Sequence, residues 1–234
     1  MKHRKPKTLL ESIFFPGLAS KGLAILFLLA MAFPASSQAQ VKELLNEAQG
    51  IVLQYNKVTL NFSGALATAP DEVKGYTAVL PNDIESTVTT FGIVINGFVL
   101  SRSDEEADFS IGKFADVNQT PGVSSDDVYV DAAKLESQLI TVTFVPVNTG
   151  FFLLRLGAGK RKGEIQFHQT SSGGVKEVNT VSFSNTFFLL QLTGALALSD
   201  NSVLGLSYTF FAPLSEDNFQ SRSQGLGIGV MYFF

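Results

Sequence analysis

The residues best suited to chemistry lie in Gly163–Asn179, which reads GEIQFHQTSSGGVKEVN. His168 stands close to the hydroxyls of Thr170, Ser171 and Ser172, with Glu177 further on. A hydroxyl made nucleophilic by a histidine base, whose ring an acid orients, is the logic of the hydrolytic triad. The neighbouring Gly157-Ala158-Gly159-Lys160 suggests a phosphate loop but fails as one: Leu154 stands at the required upstream glycine, and Arg161 where Ser or Thr is needed. Lys160, Arg161 and Lys162 form a basic cluster suited to phosphate groups, or to keeping a strand end in water. Between 102 and 136 stand nine acids, Asp104, Glu105, Glu106, Asp108, Asp116, Asp126, Asp127, Asp131 and Glu136, against Arg102, Lys113 and Lys134. Such carboxylates can hold divalent cations, but an acidic run is more often a solvated face. With no Cys and two His, neither a thiolate site nor a multi-histidine metal centre is expected, and no cofactor is implied.

The elements that must position these residues follow from the rest of the chain. Lys2, Arg4, Lys5, Lys7 and Lys21 precede an apolar run, Gly22–Phe33 (GLAILFLLAMAF). That run has the length of a secretory h-region and is too short to span a bilayer as a helix. Pro34 ends it and Ser37-Gln38-Ala39 offers a cleavage site, so residues 1–39 read as a signal peptide. Without them the chain has 12 basic and 20 acidic residues, net −8. Nucleic acid is a poor partner for that balance, because phosphate binding needs clustered positive charge. Val41, Leu44, Leu45 and Ala48 fall at helical spacing, which predicts an N-terminal segment over 40–55 that forms a short helix or lid.

From 56 to 234 the pattern has period two. Leu226, Ile228, Val230, Tyr232 and Phe234 share one face, opposite Gly225, Gly227 and Gly229. Leu204, Leu206, Tyr208 and Phe210 alternate with Gly205, Ser207 and Thr209, and Leu190, Leu192, Leu196 and Leu198 with Gln191, Thr193, Ala195 and Ala197. A soluble sandwich packs its apolar face inward and shows charge to water. Here the second face is small and almost uncharged, the inverse geometry of a transmembrane barrel with lipid outside and a narrow interior. Overall charge, 16%, is low against the roughly 25% of soluble domains.

Strands are expected at 56–68, 73–80, 87–101, 137–146, 150–161, 186–199, 203–213 and 224–234. Short turns fall at 81–86, 147–149 and 200–201. Longer connections fall at 102–136, 162–185 and 214–223, with a tight exception at 69–72. The fold class is therefore all-β: a closed, antiparallel, up-and-down transmembrane β-barrel of eight strands. Ten is the alternative, if Phe109-Ser110-Ile111 and Val128-Tyr129-Val130 add a hairpin. Phe144, Phe151, Phe152, Tyr232 and Phe234 fall near the short-turn side, and Phe187, Phe188, Phe210 and Phe211 near the long-loop side, as two interfacial girdles. Arg155 should point inward, with Glu164 or Glu177 as partners if the strands extend.

Tyr232-Phe233-Phe234, closing an alternating strand on a terminal Phe, resembles the insertion signal of bacterial outer-membrane proteins. The resemblance implies a small eight-stranded barrel in the outer membrane of a Gram-negative-type cell. It implies recognition by the barrel assembly machinery through Tyr232 and Phe234, with lipid and lipopolysaccharide as surroundings and 40–55 on the periplasmic side. Lys160, Arg161 and Lys162 would then meet lipopolysaccharide phosphates, and the loops an extracellular ligand. His168–Gly174 resembles the His-x-Ser-Asn motif of outer-membrane lipid A deacylases, with Thr170 in place of Ser and two further strands following. That resemblance implies His168 as base and Thr170 as nucleophile. The first expectation is a non-enzymatic surface or structural membrane protein, the second a lipid A-modifying hydrolase, the third a narrow channel, which would need ten strands.

Overall fold

The computed structural model describes residues 38–39, 41–44, 49–61, 75–76, 78–117, 127–214 and 222–234. The segment expected to be a signal peptide lies, except for Gln38 and Ala39, outside the described residues. Eight antiparallel strands form one closed ring: β1 (Gln49–Asn61), β2 (Asp83–Ile95), β3 (Phe98–Ala115), β4 (Val128–Asn148), β5 (Phe152–Thr170), β6 (Lys176–Ser199), β7 (Ser202–Pro213) and β8 (Arg222–Phe233). Each strand pairs with its chain neighbours, and β8 closes on β1 from Gly50↔Phe233 to Asn61↔Arg222. Within the ring every strand is paired on both sides, the condition for a sheet in lipid; among the described residues β3 beyond Glu106 and β6 before Phe187 are paired on one side only.

The count of eight stands and ten does not, but several strand boundaries differ from expectation. β1 starts at Gln49, because alternation already runs through Gly50, Val52, Gln54 and Asn56 on the inner face. Residues 41–44 are helical. The strand expected at 73–80 is absent: Gly75, Tyr76, Ala78 and Val79 are helical, and Tyr76 and Val79 are buried in the wider barrel mouth. The stretch 87–101 is a hairpin, not one strand. Asn96 and Gly97 both have positive φ (49° and 80°), the pair a two-residue turn of this hand requires. One strand too many and one hairpin too few left the total unchanged.

The expected long loops are largely strand. β3 and β4 run on through Phe109–Ile111 and Val128–Val130, and β5 and β6 run to a tight turn at Ser171–Val175. Along these strands the apolar face switches sides. Near the short turns it points out: Phe98, Leu100, Ile140, Val142 and Phe144 are exposed. Beyond, it points in: Ala107, Leu135, Ile165, Phe167, Val181 and Phe183 close over Tyr76, Val79 and Leu80. Tyr76 stacks on Phe167 (4.9 Å) and donates to the Gln169 side-chain oxygen (2.8 Å). Val41, Leu153, Val203, Met231 and Phe233 plug the short-turn end. Phe187 and Phe211, expected in a girdle, face inward and meet edge to face at 5.3 Å. Phe98, Phe144, Tyr232 and Phe234 do ring the short-turn end on the outside.

The β1–β8 seam needs a residue without a side chain. A Cβ at Gly227 would overlap the Asn56 side-chain oxygen and the Tyr55 carbonyl. Gly227→Val should therefore lower stability by roughly 1–3 kcal/mol. Urea titration of the folded, heat-modifiable form is the measurement; an unchanged midpoint would mean the seam has slack.

Candidate functional site

Strand parity separates the residues of the expected triad. His168 and Thr170 lie on the outer face of β5, where His168 is exposed. Thr170 donates to Asp131 (3.3 Å). Glu177 falls opposite Gln169, which is buried on the inner face, so its side chain leaves the other side of the sheet from His168. Among the described residues no hydrogen bond reaches the His168 ring. The three residues are near in sequence because two strands meet at a turn, and alternation then sends them apart.

The basic trio is divided in the same way. Lys160 and Lys162 are exposed on the wall. Arg161 is 3% exposed and points into the barrel. Its Nη2 meets both oxygens of Glu105, at 3.1 Å and 3.0 Å. Glu105, expected in a solvated acidic loop, is 1% exposed and also accepts from Ser86 (3.1 Å) and Ser137 (2.6 Å). A carboxylate that accepts from two hydroxyls and a guanidinium is a charge-neutral buried pair. It belongs to the scaffold.

Arg155 is buried as expected but meets no acid. Its Nη1 donates to Gln191 (2.6 Å) and its Nη2 to Thr143 (3.1 Å). Gln191 in turn donates to Thr209 (2.8 Å), which turns its carbonyl toward the guanidinium. Glu164 lies on the outer half of β5, where it accepts from Gln166 (2.7 Å). Across the barrel, Gln54 donates to Asn56 (2.7 Å) and Ser207 (2.6 Å), and Ser101 bonds to Thr141 (2.5 Å). Apolar clusters lie at either end of this polar layer, so the interior is filled, as eight strands dictate.

The outside carries the other organised chemistry. Above the apolar belt the wall bears a charged collar: Lys57 paired with Glu85 (2.6 Å), Arg102 with Asp104 (3.6 Å), Lys134 with Glu136, and the exposed Lys160 and Lys162. The Glu136 carboxylate, hydrogen-bonded to Lys134, holds that ammonium above its ordinary value. Sequence spacing located Lys160 and Lys162 but not the rest of the collar on β1, β3 and β4, which joins them only through the strand registers around the ring. Tyr232 and Phe234 stand on the lipid side of β8, Phe234 73% exposed, while Phe233 turns inward.

A closed eight-stranded barrel with an apolar exterior, a plugged polar interior and a charged collar is a small β-barrel of the bacterial outer membrane. No family model and no curated protein matches the chain. Among solved structures it is similar to Ail, the attachment invasion locus protein of Yersinia pestis, at 14% identity over 80% of this chain and 99% of that one, TM-score 0.45. Neisserial surface protein A aligns at 16% identity over 80% and 97%, TM-score 0.45. OprG from Pseudomonas aeruginosa aligns at 10% identity over 81% and 97%, TM-score 0.45.

Proposed function

We propose that the protein is a non-catalytic outer-membrane barrel that works through its outer wall and surface, with lipopolysaccharide as its first partner. The observation that carries this reading is the collar: cationic side chains project sideways from the wall at the edge of the apolar belt, Arg102 and Lys160 level with its Phe91 and Ile140, an arrangement suited to anionic head groups. Lys160 and Lys162 are its best candidates for phosphate contact, because no carboxylate pairs with them among the described residues. Surface cations at an anionic lipid layer each contribute about 1 kcal/mol. The long β3–β6 sheet then forms a surface for an extracellular ligand. Export through a signal peptide and insertion through Tyr232 and Phe234 complete the proposal.

Lipopolysaccharide added to the barrel in detergent should raise its thermal unfolding midpoint, and Lys160→Glu with Lys162→Glu should abolish most of that rise. Equal stabilisation of both forms would remove the two lysines from the proposal. His168→Ala should leave the lipid A acylation pattern unchanged by mass spectrometry. A changed pattern would restore the hydrolase.

A further inference from the structure

Charge inside the barrel does not balance. Among the described residues three charged side chains are buried: Glu105, Arg155 and Arg161. Glu105 neutralises Arg161. Arg155 sits six residues further down β5, near the short-turn end, with only the neutral Gln191 and Thr143 as partners. A guanidinium does not give up its proton in a protein, so this positive charge cannot be removed by titration. A buried charge left without a counter-charge is strongly destabilising.

The arginine also has an unused donor. Its Nε–H is buried and makes no hydrogen bond. Arg155 also lines a cavity of about 20 Å³, whose other walls are the polar Gln54, Thr193 and Ser207, the apolar Val52, Leu153 and Met231, and Gly205 and Gly229. A space of at least ~10–15 Å³ is needed to hold one water. The Thr193 hydroxyl is free to donate: it makes no hydrogen bond among the described residues. Nothing in the lining carries negative charge.

We propose that this cavity is a monovalent anion site, filled by chloride or an ion of similar size, which serves as the internal counter-ion of Arg155. Water would satisfy the Nε–H but leave the charge uncompensated; a small anion does both. Tetrahedral oxyanions such as sulfate and phosphate are too large for the space. The site lies where the polar layer meets the short-turn plug, whose Val52, Leu153 and Met231 form its apolar walls, so the ion is taken up during folding and exchanges slowly afterwards.

Bromide is the probe. Crystals of the whole folded chain grown in sodium bromide should show an anomalous peak within hydrogen-bonding distance of Arg155 Nε. An ordered water there, with no anomalous signal, overturns the proposal. In solution, the urea midpoint of the wild-type barrel should rise and saturate as chloride replaces gluconate at constant ionic strength. Arg155→Gln should lose that dependence. A dependence of the same size in both proteins means a general salt effect and also overturns it. If Arg155→Gln does not fold, the wild-type crystals decide alone.

Discussion

Glu105→Ala is expected to destabilise the folded barrel by about 3–5 kcal/mol, because it strands the Arg161 guanidinium in the interior. Both oxygens of Glu105 face Arg161, and the hydroxyls of Ser86 and Ser137 point at the same carboxylate. Removing the acid therefore orphans a charge and two hydroxyl donors together. Unfolding in urea, read as loss of the compact heat-modifiable band, should show the shift. Adding Arg161→Met to Glu105→Ala should recover most of the loss, because the penalty lies in the unpaired charge and not in absence of the pair. A single-variant loss under ~1 kcal/mol would mean that water reaches the pair, and the plug described by Leu135, Ile165 and Phe167 would be leaky.

That pair also shows where the sequence could be read and where it could not. Over the second half of β6, and over β7 and β8, the alternation is clean: Leu190, Leu192, Leu204, Leu206, Ile228 and Val230 on the lipid side, Gln191, Thr193, Gly205, Ser207 and Gly229 inside. There strand, face and surroundings followed directly from residue type. On β3, β4 and β5 the phase inverts partway along, and over the first half of β6 it is inverted too. Leu154 and Leu156 point outward, yet Ile165 and Phe167 on the same strand point inward. The inversion occurs because the strands leave the membrane and continue in water, where charge must face out and apolar groups in. A one-phase search ends the strand at that crossing, which turned Glu105 and Arg161 into loop and rim residues. Sequence alone could not pair them: they are 56 positions apart and meet only through the β3–β4–β5 register. The hairpin at Asn96-Gly97 was different. Its turn dipeptide was legible, but the apolar run on both sides concealed the reversal.

A lysine scan along the outer face of β8 tests which side of the wall meets lipid. Val230 is the middle of the five outward residues Leu226, Ile228, Val230, Tyr232 and Phe234, and it is 40% exposed. Its neighbours across the register, Leu53 and Leu204, are also apolar and outward. In a water-soluble protein, lysine at so open a position changes stability by no more than ~0.5 kcal/mol. In a bilayer, Val230→Lys should cost about 2–4 kcal/mol, because the ammonium must leave water or drag water in with it. Phe234→Lys, at the rim of the belt, should cost only ~0–1 kcal/mol, since its side chain can reach the interface. Folding into lipid vesicles, followed by urea titration, gives the profile. A maximum at Val230 that falls toward both ends is the expected result. A flat profile would mean that the apolar face does not lie against acyl chains.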